Sequence, residues 1–226
     1  MILNMDIDWD AKVLGSLTPV INNLREIQIN NQEIENVADW LAYEEFPSPQ
    51  NNKTKKNPKE VIRTTLLVNT LNFAFTDFEK SIKYEIERNG YIYSDSEAMF
   101  TQINETLASG TKLYHGDVLS SLDLDKLNKI FSGNIEMPMM SERLEILNEV
   151  GEKLSSEYKG DWINFINNGP KKLYSDGEGL IERLIAEFPR FDDKTILEDG
   201  QEVHFYKLAQ LAFWGIHGAV SYTHLT

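Results

Sequence analysis

The chain has 226 residues, of which 41% are apolar and 26% charged. That is enough to bury a real core, and too ordinary a mixture for wholesale disorder. Its formal charge of −14 repels phosphate backbones. The one dense basic run, Lys53-Thr54-Lys55-Lys56 followed by Lys59, reads as a solvated loop, so long nucleic acids are set aside and a small-molecule or protein partner fits better. With no cysteine, disulfides, thiolate nucleophiles and cysteine-containing zinc sites are excluded, which suits a reducing cytoplasm.

Met1 to Trp9 carries no basic residue, so no secretory signal is expected. From Ser16 to Glu45 the apolar residues Val20, Ile21, Leu24, Ile27 and then Ile34, Val37, Ala38, Leu41 recur at helical spacing. Phe46-Pro47-Ser48-Pro49 breaks the pattern, and a polar loop runs to Pro58. Val61 to Phe75 is mostly apolar and reads as buried, with periodicity leaving helix or strand open.

Asn89-Gly90 between runs of β-formers predicts a hairpin over Ile82 to Tyr93, pairing Arg88 with Tyr91 and Ile86 with Tyr93. Ile82, Tyr84 and Ile86 then share a dry face with Tyr91 and Tyr93. Ser94-Asp95-Ser96-Glu97 reads as a capping box for a helix that buries Phe100, Ile103 and Leu107 and stops at Gly110.

Further helices are expected over Leu124 to Phe131, over Leu147 to Tyr158 after Pro138, and over Leu180 to Phe188 before Pro189. A second, smaller hairpin turns on Asp199-Gly200, and a last helix covers Tyr206 to Ala219. At thirteen residues interrupted by Gln210, Gly215 and His217, the apolar stretch Leu208 to Val220 falls short of the ~20 needed to span a bilayer, so no membrane partner is expected. The fold class is mainly α: a single helical domain with small β-hairpins.

Common catalytic patterns are absent: there is no P-loop, G-x-S-x-G, H-E-x-x-H or EF-hand loop. The histidines at 115, 204, 217 and 224 are scattered, and His217 reads as a core residue. Residues alone stop at an acidic helical domain without an evident metal site.

Five segments in order carry the chain further. Trp40 through Pro47 resembles a segment after the second helix of the queuosine salvage family. Leu67-Val68-Asn69-Thr70-Leu71-Asn72-Phe73-Ala74-Phe75 resembles that family's D-x-L-N-F-x-F-W motif. Met137-Pro138, Glu142-Arg143 and Ile146-Leu147-Asn148-Glu149 with Gly151 are similar to M-P-x-x-x-E-R-x-x-I-L-N-E-x-G. Phe188-Pro189-Arg190-Phe191-Asp192-Asp193 is similar to F-P-x-[YF]-x-D, and Phe205 to Gln210 to F-Y-K-R-A-Q apart from Leu208.

The resemblance implies a helical fold related to helix-hairpin-helix DNA glycosylases. It also implies hydrolysis of the N-glycosidic bond of queuosine 5'-phosphate to release queuine, with neither metal nor redox cofactor. Tyr43, Glu44, Asn72 and Phe75 are the expected substrate-binding residues; Glu44 stands where relatives can carry a base-contacting histidine. Asn72 and Phe75 read equally well as a backbone-bonded amide and a core aromatic. Arg143 and Glu142 read as helix braces. Asn69 replaces the motif's aspartate and Thr76 its tryptophan.

The family's catalytic carboxylate is expected in an F-A-D-Y-x-x-P-Q segment that residues 1–226 do not contain. Residues 1–219 are expected to form the N-terminal part of one domain, with 220–226 a foreign tail after a truncation. The in-chain acids Asp77, Glu79, Asp192 and Asp193 read as poor substitutes, and loss of partner helices should leave Leu211, Phe213 and Trp214 partly exposed.

Overall fold

A computed structural model describes residues 9–23, 30–44 and 57–221; for 9–11 and 218–221 it describes the backbone alone. The Phe46 to Pro49 break and most of the polar loop lie outside the described residues. The described residues fall into two compact units, the larger over 57–193 and 206–221, the smaller over 9–44 and 194–205. Mainly helical is the outcome: ten α-helices and three two-stranded antiparallel sheets among the described residues.

The smaller unit holds α1 (Trp9–Asn23), α2 (Asn31–Ala42), β5 (Lys194–Ile196) and β6 (Glu202–His204). Asn30 starts α2 by accepting the Glu33 N–H, as an N-cap should. The β5–β6 hairpin turns through Gly200 at φ +84°, a left-handed conformation that glycine takes without strain. It is tied to α1 because the Gln201 amide donates to the Ser16 carbonyl at 2.7 Å and the His204 N–H to the Ser16 hydroxyl at 3.1 Å.

In the larger unit the undecided stretch after Val61 is a helix. In α3 (Pro58–Leu71) the first position is proline, whose missing N–H costs nothing there, and Asn57 accepts the Lys59 N–H. After α3 come β1 (Thr76–Asp77) and β2 (Ile82–Lys83), a short pair not foreseen from the sequence, and then β3 (Glu85–Arg88) and β4 (Tyr91–Ser94). The β3–β4 register pairs Arg88 with Tyr91 and Ile86 with Tyr93, as expected. Asn89 and Gly90 both take positive φ, which a two-residue I′ turn requires.

Three local expectations fail. Tyr84 and Ile86 are buried, but Tyr91 is exposed, and so is Ile82, which pairs with Asp77 of β1 outside the hairpin, so the expected continuous dry face from Ile82 to Tyr93 does not form. The capping box does not form: the Ser94 hydroxyl donates to the Glu85 carboxylate across the hairpin instead of capping α4 (Asp95–Ala108). A cross-strand charged acceptor outcompetes a backbone N–H of its own helix. Phe100, expected in the core, is 42% exposed on α4 because Met99 and Ile103 take the core-facing positions; Leu107 is half-buried, and Gly110 follows the helix at φ +93° as expected.

Next along the chain are α5 (Gly116–Ser120), α6 (Leu124–Ile130), α7 (Met140–Tyr158), α8 (Trp162–Asn167), α9 (Leu180–Glu187) and α10 (Lys207–Ser221). In α7, Leu147, Val150, Leu154 and Tyr158 are buried at the expected spacing. α5 lies close on α7 because both carry glycine at the crossing; a Cβ on Gly116 would come 2.8 Å from the Gly151 carbonyl oxygen. Trp162 lies 4.8 Å from Phe188 with the rings tilted by 38°, and Phe165 is edge-on to Phe188 at 5.4 Å, giving α8 and the end of α9 a shared aromatic core. The carboxylate of Asp161 caps α8 through the Ile163 N–H and ion-pairs with Arg63 of α3, joining elements 98 residues apart.

On α10, Ala209, Ala212 and Phe213 are buried, Leu211 is half-buried and Trp214 is 66% exposed. Of the three apolar residues expected at the surface, Phe213 is therefore in the core. No helix among the described residues is long and apolar enough to cross a membrane.

Candidate functional site

A helix that ends in the interior leaves its last carbonyls without partners, and these must be satisfied from outside the helix. α3 does so with two arginines. Asn72 caps it at φ −79°, ψ 77°, and the chain then runs through Phe73, Ala74 and Phe75 before β1. Arg143, on the first turn of α7, is 0% exposed. Its Nη1 donates to the Leu71 carbonyl at 2.5 Å, and its Nη2 donates to the Phe73 carbonyl and, at 2.7 Å, to that of Ala74. Its Nε reaches the Pro138 carbonyl at 3.1 Å. From the other side, Arg190 Nε donates to the Thr70 carbonyl at 2.8 Å.

The Phe73 ring is flanked by both guanidiniums, with Arg143 4.2 Å and Arg190 4.6 Å from its centroid; Phe75 lies 5.1 Å from Arg143. Cations belong at a helix C-terminus, where the macrodipole is negative, and over the electron-rich ring face. Even so, burial and the nearby Arg190 charge pull Arg143 down to about 10. It remains a cation at neutral pH. Arg190 is lowered as well, by burial, with Asp193 opposing that shift.

The two chain segments that Arg143 grips each hold a non-glycine residue at positive φ, Ala74 at +45° and Met139 at +60°. Such backbone costs of order 1–3 kcal/mol per residue and concentrates where surrounding structure overdetermines it, often at binding sites. Phe75 is further fixed because its carbonyl accepts the Tyr84 N–H at 2.8 Å. Tyr84 is itself held by its hydroxyl bond to Gln102 at 2.8 Å.

Of the four expected contact residues, the structure thus puts Asn72 and Phe75 on one braced loop, both half-buried. Tyr43 and Glu44 belong to the smaller unit, at the end of α2; Tyr43 is 89% exposed and Glu44 is exposed. Arg143 is a brace, as read from the sequence, and Glu142 is exposed at the surface. Arg190 was not singled out there, although a lone arginine between phenylalanines in Phe188-Pro189-Arg190-Phe191 was the available signal.

Among the in-chain acids, Asp193 is committed to structure. One oxygen accepts the Lys207 N–H at 2.8 Å, capping α10, and the other is buried. Burial pushes its carboxyl up. Asp77 bonds the backbone N–H groups of Glu79 and Lys80 and pairs with the Lys80 ammonium at 2.9 Å. Among the described residues no group of three or more His, Asp or Glu side chains is arranged to hold a metal ion.

The family description "Queuosine salvage protein" matches residues 51–225, which include the braced loop, both arginines and α10. Three similar curated proteins are each named queuosine 5'-phosphate N-glycosylase/hydrolase. The one from Mus musculus is 24% identical over 201 residues, covering 85% of this chain and 58% of its own length. That from Bos taurus is 24% identical over 214 residues, covering 87% and 61%. That from Sphaerobacter thermophilus is 25% identical over 210 residues, covering 92% and 62%. The chain spans about three-fifths of the length of these relatives. With a match over so much of the sequence, the chain belongs to the queuosine salvage protein family.

Proposed function

We propose that this chain is part of an N-glycosidase that hydrolyses queuosine 5'-phosphate and releases queuine for reuse in tRNA modification. The family match over residues 51–225 carries the proposal. Breaking the bond between ribose C1' and the base nitrogen develops positive charge on the sugar, which a nearby carboxylate stabilises. The departing base needs stacking and hydrogen bonds along its polar edge. Phe75 and Asn72, on a loop that cannot shift without breaking the arginine bonds, supply a flat face and an amide. Tyr43 and Glu44 are proposed as further contacts, Glu44 for the base edge or its cationic amine arm.

The reaction requires water and a carboxylate but neither a metal nor a redox cofactor. The same reading places the fold near the helix-hairpin-helix glycosylases and the protein in the cytoplasm. It assigns the stabilising carboxylate to the F-A-D-Y-x-x-P-Q segment, which residues 1–226 lack. The test is base release from queuosine 5'-phosphate by a protein of full family length, run beside residues 1–226. Release by the longer protein alone is expected. Binding without release by either would favour a non-catalytic module, and comparable release by both would put the catalytic group inside this chain, with Asp192 the first residue to replace.

A further inference from the structure

Arg143 and Arg190 flank the same ring, but they are not used alike. Arg143 is sealed, with bonds to four backbone carbonyls. Arg190 braces α3 through Nε and is half-buried, with no hydrogen bond from either Nη and neither Nη among the buried unpaired atoms. Its head group is anchored by the Thr70 carbonyl on one edge and the Phe73 face at 4.6 Å.

Neither guanidinium forms an ion pair with a carboxylate among the described residues. Asp193 acts on Arg190 from beyond ion-pair distance; one of its oxygens caps α10 and the other is buried without a hydrogen-bond partner. Two guanidiniums around one phenyl ring, one of them fully buried, stand out in a chain of net charge −14. An incoming anion would offset their cost. Arg190 presents what a phosphate prefers: a rigid, stacked, planar fork with parallel N–H groups free.

We propose that Arg190 recognises the phosphomonoester of the substrate, reading the 5'-phosphate while the adjoining Asn72 and Phe75 meet the nucleoside. The inference rests on the glycosidase reading and adds to it the residue that separates nucleotide from nucleoside. Bracing α3 accounts for Nε; it leaves the outward Nη pair without a use.

The experiment compares binding of queuosine 5'-phosphate and of queuosine by calorimetry, in the full-length protein and in its Arg190→Gln and Arg190→Lys variants. Nucleotide affinity should fall roughly ten- to hundred-fold in Arg190→Gln, the size of a lost charge-assisted hydrogen-bond pair. Nucleoside affinity should fall far less, by no more than loss of the Thr70 bond accounts for, and Arg190→Lys should fall between. Equal weakening toward both ligands would reduce Arg190 to a brace and overturn the proposal. If the unmodified protein binds neither, the glycosidase reading falls first and takes this inference with it. A second measurement avoids substitution altogether. In a titration of the unmodified protein with inorganic phosphate, the arginine side-chain N–H resonances of Arg190 should move and those of Arg143 should not; no selective movement would also overturn it.

Discussion

α2 and α3 are helices of similar length that end differently. Only α2 shows clear helical spacing in the sequence, but both are followed at once by residues expected to meet substrate. Yet α2 buries none of its residues, while α3 buries Leu66, Leu67, Asn69, Thr70 and Leu71. At the end of α2, Tyr43 closes the helix with its own backbone N–H, donating to the Trp40 and Leu41 carbonyls. At the end of α3, two arginines from distant elements take the carbonyls. An exposed helix end can rely on water. A buried one must be supplied with donors, and supplying them with guanidiniums turns a helix terminus into a fixed, positively charged platform.

The sharpest way to break that contrast is to remove Arg143. Arg143→Ala should cost about 3–5 kcal/mol in chemical denaturation, because it takes a donor from four carbonyls, of which that of Leu71 keeps the Phe73 N–H, and leaves a void. Arg143→Lys should recover less than half of this, since an ammonium cannot reproduce the planar fork. A loss under about 1 kcal/mol for Arg143→Ala would mean that water can replace the brace.

A second, smaller effect checks how well the surrounding core is sealed. The Tyr158 hydroxyl donates to the Glu187 carboxylate, and burial, with that carboxylate's help, pushes Tyr158 up to about 12. Its unfolded value is near 10. Because the folded value is raised, the stability it contributes is fully present below pH 10 and is lost as pH climbs through 12. Tyr158→Phe should therefore be about 1 kcal/mol less stable than the unmodified protein near pH 8, with the gap narrowing between pH 10 and 12. A gap that stays constant over that range would show an open, hydrated hydroxyl.

The least stability effect is expected at the end of α2. Glu44→Ala should leave the melting temperature nearly unchanged and weaken ligand binding in the full-length protein by about 1–3 kcal/mol. A large stability loss with unaltered affinity would make Glu44 a structural residue and erase the difference between the two helix ends.

Local chemistry by itself determined most of the helices, though not α3, α5 or α8, together with the Asn89-Gly90 hairpin and its register, the small hairpin on Gly200 and the family. Each is written in short-range spacing or contiguous motifs. The sequence also placed Asn72 and Phe75 in a motif worth watching. What it could not convey was competition between distant groups. Ser94 had a local partner in its own helix and chose Glu85 across the hairpin. Arg143 and Arg190 stand 72 and 120 residues from the carbonyls of Leu71 and Thr70 that they satisfy. Only tertiary structure decides such choices, because a buried carbonyl is indifferent to where in the chain its donor lies and responds to which donor the packing brings within 3 Å.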